Sequence, residues 1–113
     1  MSYKTIYGSK ETVEVVTDTD PNSPNYAHVY HINHGTGNQN ICFQNGTVLE
    51  VGHNGVTNEA LLAITIHRTK ILNDKFPCDE NEQAIGHMEA ALKCFEDRTA
   101  NRVARNVEGQ HVV

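Results

Sequence analysis

No stretch of the 113 residues approaches the roughly 20 apolar residues a membrane-spanning helix needs. The polar start MSYKTIYGSKET also lacks the apolar segment of a signal peptide. A protein acting in the cytosol is the expectation. Cysteine is scarce: Cys42, Cys78 and Cys94 lie far apart with no CxxC pair, which suits neither a disulfide framework nor a structural zinc site. They read as buried, reduced thiols. Basic residues are outnumbered, with 9 lysines and arginines against 14 aspartates and glutamates and a net charge of -5. That balance opposes a general affinity for nucleic-acid polymers or anionic membranes, so any anion site must be local.

Catalytic signatures are missing as well. No nucleophile elbow, phosphate-binding loop or HExxH motif occurs, and Gly35-Thr36-Gly37 lacks the strand-to-helix setting of a dinucleotide fingerprint. No catalytic residue and no cofactor are therefore assigned. His28, His31 and His34 resemble a metal-binding run, but on a strand His31 points opposite to the other two, leaving at most two ligands on one face. No metal is expected. His53, His67, His87 and His111 show no partner spacing.

What is present fits one compact domain over 1–113, with a hydrophobic fraction of 38% to supply a modest core. Residues 1–56 read as short strands and turns. Thr12-Val13-Glu14-Val15-Val16 is rich in β-branched residues, and His28-Val29-Tyr30-His31-Ile32 alternates as a half-buried strand does. TDTDPNSPN between them is rich in turn residues and reads as an exposed loop. Asn33 to Asn38 closes one hairpin, and Asn45-Gly46 within ICFQNGTVLEV predicts another, because that dipeptide supplies positive φ angles. The expected result is an antiparallel meander.

From Thr57 the period becomes helical. Thr57 caps a helix over about 58 to 72 that carries Leu61, Leu62, Ile64 and Ile66 and stops at the latest at Pro77. A second helix is predicted from Asp79 as cap, with Glu82 reaching back, and its apolar stripe is Ile85, Met88, Leu92 and Phe95. A connection over about 73 to 78 makes the two an antiparallel hairpin within residues 57–113. The fold class is α+β, a sheet followed by a helical hairpin. The second helix is long for so small a domain, which points to burial of its stripe against another subunit.

Arg98, Arg102 and Arg105 follow in steps of 4 and 3, on one side of a helix reaching that far. Basic residues in a last turn ordinarily complement the helix dipole, at about 0.3 to 1 kcal/mol each. The alternative is a planar guanidinium fork that grips a phosphate in bidentate fashion. Spacing alone leaves both open.

Three stretches carry a resemblance: ICFQNGTVLEVGHNGVTNEALLAI, CDENEQAIGHMEAALKCFEDRTANR and VARNVEGQH. They resemble the Thoeris anti-defence family of phage proteins, the first-numbered type. Residues 41 to 111 carry the likeness, and residues 1 to 40 match only loosely. The helical-hairpin half is also similar to sponge proteins that oppose cyclic-oligonucleotide (CBASS) defence.

The resemblance implies a non-enzymatic sponge in the cytoplasm of an infected bacterium. It would capture glyco-cyclic ADP-ribose isomers made by bacterial TIR proteins, with cyclic di- or trinucleotides at a separate site in some relatives. It also implies a homo-oligomer, dimer or hexamer. Carried over singly, the family's ligand contacts fall on Ile71, Asn81 and Arg98 of the Arg98-Thr99 pair, with Arg102 and Arg105 continuing the cationic side. Ile71 departs from the family's stacking aromatic, and Phe76 or Phe95 is a candidate substitute. Cys94 stands where relatives often have Trp and Asn106 where they have Gly. Asn tolerates the left-handed conformation of a helix end. The other readings of the same residues are an enzyme that degrades the signal and a small nucleic-acid-binding or structural phage protein.

Overall fold

The computed structural model describes residues 2–104, so Arg105, Asn106 and His111 lie outside the described residues. Two compact units are present. One runs to Gly46 and includes His53–Val56, and the other comprises Thr47–Gly52 and the chain from Thr57.

The first unit is an antiparallel sheet of β1 (Tyr3–Gly8), β2 (Glu14–Asp18), β3 (Val29–His34) and β4 (Gly37–Cys42), in spatial order β1-β2-β3-β4. This is the expected meander. The β3–β4 hairpin turns at Gly35-Thr36, as the turn residues predict. β1 is an edge strand with all six residues exposed, and so carries no alternating pattern to read.

The best-buried side chains of the sheet are polar. Glu14, 8% exposed, accepts from the Thr5 hydroxyl at 2.8 Å and the Asn33 amide at 3.3 Å. Thr17, equally well buried, donates to the Val29 carbonyl. His31 and His34 pair with the side chains of Asn40 and Gln39. In the loop after β2, a hydrogen bond from Ser23 and then the Asp20 N–H hold the Asp18 carboxyl below its ordinary range.

Gly8 turns the chain out of β1 at φ 74°, and a Cβ there would collide with the Val13 carbonyl oxygen. A left-handed angle and a backbone clash together predict that Gly8→Ala costs about 2 kcal/mol or more, read as a lowered urea midpoint. An unchanged midpoint would mean that the β1–β2 turn relaxes freely.

ICFQNGTVLEV does not form the second hairpin. A type I′ turn needs positive φ at both central residues, and Gly46 has it (φ 90°) while Asn45 does not. The Asn54 side chain instead accepts the Asn45 N–H and donates to the Asn45 carbonyl, at 2.9 and 2.7 Å. Phe43 and Val56 form a short parallel bridge. In the second unit, Thr47 caps the one-turn helix α1 (Val48–Val51) by accepting from the Glu50 N–H.

That unit continues with α2 (Asn58–Lys75) and α3 (Asp79–Ala104), which pack together as the expected hairpin. Thr57 caps α2 as predicted, accepting from Ala60 N–H at 3.1 Å. α2 runs three residues past the expected end, and the connection shrinks to 76–78, where the Asn73 side chain accepts the Cys78 N–H at 3.0 Å. The predicted cap at Asp79 is one position late, since Asp79 is already helical. The Cys78 sulfur lies 3.4 Å from the Asn81 N–H and takes that role, while Asp79, Glu80 and Glu82 face the positive end of the dipole.

The seam of α3 is half-buried at Asn81, Ile85, Met88, Leu92 and Phe95, in steps of 4, 3, 4 and 3. On α2, only Ile66 is buried, and at 7% exposure it is the one buried apolar side chain among the described residues. Lys70 and Glu89 bridge the helices at 2.9 Å with both side chains about half exposed, so the pair contributes little. All three cysteines are exposed, against the expectation of burial, because Cys42 ends an edge strand, Cys78 sits in the helix connection and Cys94 lies off the α3 seam. No described helix is long and apolar enough to cross a membrane.

Candidate functional site

α2 is apolar on two sides. Its face away from the seam carries Ile64, 64% exposed, and Ile71, 44% exposed. Spacings of three, four and seven place both in one stripe with His67 and Arg68. A groove of about 540 Å³ follows that stripe, lined by Ala63, Ile64, His67, Arg68, Ile71 and Leu72.

Ile71 therefore lies in a cavity wall. Asn81 stands half-buried in the first turn of α3, and its side-chain amide has no hydrogen-bond partner among the described residues. Phe76 ends α2 and is 76% exposed, so its ring is available to a ligand or a neighbouring chain.

The arginine face divides. Arg98 is exposed, and its guanidinium has no partner among the described residues. The adjacent Asp97 is engaged by Lys93 at 2.9 and 3.1 Å, and this hydrogen bond, aided by charge, holds the Lys93 ammonium above the ordinary lysine range. Arg102 is buried, 6% exposed, and falls seven residues after Phe95 on the same side of α3. Thr99 is exposed beside Arg98.

Position along α3 separates the candidates into two groups. Asn81, Ile71 and Phe76 all lie toward the closed end of the hairpin, Asn81 on the α3 seam and Ile71 on the face of α2 away from it, while Arg98, Thr99 and Arg102 lie near the open end. Residues 81 and 98 are 17 positions apart on one continuous helix, which at 1.5 Å per residue is about 25 Å. A single chain does not bring both groups onto one small ligand.

Sequence reasoning missed Arg68 and His67 as groove residues. The usable signal was their distance from Ile71, three and four residues, which makes them its neighbours on a helix surface.

The family model of the Acb2/Tad1 hairpin domain matches residues 37–100, spanning β4, α1, α2 and most of α3. The chain belongs to the Acb2/Tad1 hairpin-domain family. Ile71, Asn81 and Arg98 fall inside the hairpin-domain match, and Arg102 lies just past it. Among curated proteins, the chain is 49% identical over 72 residues to Thoeris anti-defense 1 of Bacillus phage SBSphiJ7. That alignment takes in 63% of this chain and 51% of the relative, so the chain spans about half the length of the curated protein it matches.

Proposed function

We propose that this Acb2/Tad1 hairpin-domain protein is a phage anti-defence sponge. It binds glyco-cyclic ADP-ribose isomers in the cytoplasm of the infected host and holds them without cleaving them. The observation that carries this reading is Arg98, an exposed guanidinium without a described partner in an acidic protein, set within the Acb2/Tad1 hairpin-domain match.

The ligand's pyrophosphate carries two negative charges, and guanidinium forks suit it. Arginines do not suffice alone. A sponge that outcompetes a receptor needs nanomolar affinity, about -12 kcal/mol, whereas a charge-assisted hydrogen bond contributes about 1.5 to 3 kcal/mol. The remainder comes from enclosing the adenine and riboses, and the α2 groove is open on its outer side in one chain. In this reading two hairpins pair antiparallel about a two-fold axis, which would bring the closed end of one protomer, with Ile71 and Asn81, toward Arg98 of the other. They close the site and cover both apolar stripes.

The test is to incubate the protein with cyclic ADP-ribose isomers and cyclic di- and trinucleotides, denature the complex, and identify what is released. Stoichiometric recovery of an intact cyclic ADP-ribose isomer is expected. Recovery of cleavage products means an enzyme, and no retained nucleotide from the panel rejects the sponge.

A further inference from the structure

We infer that Arg68 is the specificity-determining anion contact of the α2 groove. It holds the phosphate of a nucleoside-phosphate unit whose base lies against Ile64 and Ile71. This rests on the sponge reading above and adds a contact to it.

Ordinary structural uses do not account for Arg68. A helix-surface arginine most often pairs with a carboxylate three or four positions away, yet those positions here are Ile64, Thr65, Ile71 and Leu72. It is also seven residues from the end of α2, beyond the last turn where a cation complements the dipole. The side chain is exposed and has no hydrogen-bond or ion-pair partner among the described residues. The cross-helix carboxylate Glu89 is taken by Lys70.

The described residues lining the groove supply no counter-charge. Its described lining is Ala63, Ile64, Ile71 and Leu72 with His67 as the other polar group, and no acidic residue is among them. An apolar strip with one unneutralised guanidinium is complementary to a ligand that presents a flat, weakly polar surface joined to an anion. Residues three apart on a helix have Cβ atoms about 5–6 Å apart, so Arg68 and Ile71 reach points separated by roughly one sugar. A nucleoside 5′-phosphate has that shape: base, ribose, phosphate. The fork geometry further favours arginine over lysine, because two parallel N–H donors match two phosphate oxygens.

Calorimetry with the tightest-binding cyclic ADP-ribose isomer decides the assignment, using the full chain and its Arg68→Ala, Arg68→Lys and Lys75→Ala variants. Lys75→Ala removes the same charge from the same helix outside the groove. Arg68→Ala is expected to weaken binding by about tenfold or more, Arg68→Lys by less, and Lys75→Ala by under about twofold. Unchanged circular dichroism establishes that the exposed substitutions leave the helices intact.

If the parent protein binds and Arg68→Ala binds equally well, the assignment is wrong while the sponge reading stands. Equal losses in Arg68→Ala and Lys75→Ala also overturn it, since they report only net charge. If the parent protein binds no isomer, the sponge reading itself fails and takes this contact with it.

Discussion

Mixing an Asn81→Ala protein with an Arg98→Ala protein restores ligand binding that each lacks alone. Arg98→Ala by itself is expected to weaken binding about 30-fold, near 2 kcal/mol, for the loss of a charge-assisted contact. Asn81→Ala removes an amide with no described partner of its own and is expected to cost a similar factor. In the proposed two-fold pairing, each site draws Asn81 from one chain and Arg98 from the other. A mixed pair then contains one intact site and one doubly damaged site. Random exchange makes half of the pairs mixed, so about a quarter of all sites regain full affinity. Titration calorimetry before and after exchange reads that fraction directly. A mixture that stays as weak as its components would show that both residues act on the ligand from one chain, or that one of them does not act at all.

Ile64→Glu is expected to abolish assembly and capture together. Ile64 is 64% exposed in the single chain, so the hairpin loses little when it changes. In the proposed pairing the partner closes the groove over Ile64 and the bound base, and removing that side chain from water would contribute on the order of 1.5 to 3 kcal/mol from each chain. A carboxylate in its place must instead be desolvated twice across the axis. Light scattering should then report a particle of the chain mass, 12.6 kDa, and affinity for the cyclic ligand should fall by more than about 100-fold. Retained helical circular dichroism separates this from unfolding. An assembly of undiminished mass would remove the outer stripe of α2 from the interface.

Much of α3 was legible because its pattern has one dominant period. Ile85, Met88, Leu92 and Phe95 step along the seam that meets α2, and all four are half-buried. The same arithmetic, carried one heptad beyond Phe95, places Arg102 on the same side of α3, where it is buried. Reading the arginines by mutual spacing alone hid this. α2 was less legible, since apolar residues on two sides blur the period, and Ile66 and Ile64 look equivalent until the partner helix covers one of them. Short polar capping also defeated pattern reading. Asn45-Gly46 signals a hairpin, but Thr47 satisfies a helix start immediately afterwards, and a sulfur at Cys78 takes the role expected of Asp79. Nothing in residues 1 to 40 pointed to the polar centre of the sheet, because Glu14, Thr5 and Asn33 meet through strand register and not through local sequence.

The length of α3 also bears on how the protein would fill. A two-fold pair necessarily carries its site twice, near opposite ends of the helix, about 25 Å apart for the 17 positions from Asn81 to Arg98. At physiological ionic strength the Debye length is about 8 Å, so a dianion bound in one site scarcely alters the potential at the other. Uptake should therefore follow a simple hyperbola, with one molecule per chain and a Hill coefficient near unity. A trap of this kind would work as well on the first traces of signal as on a late surge.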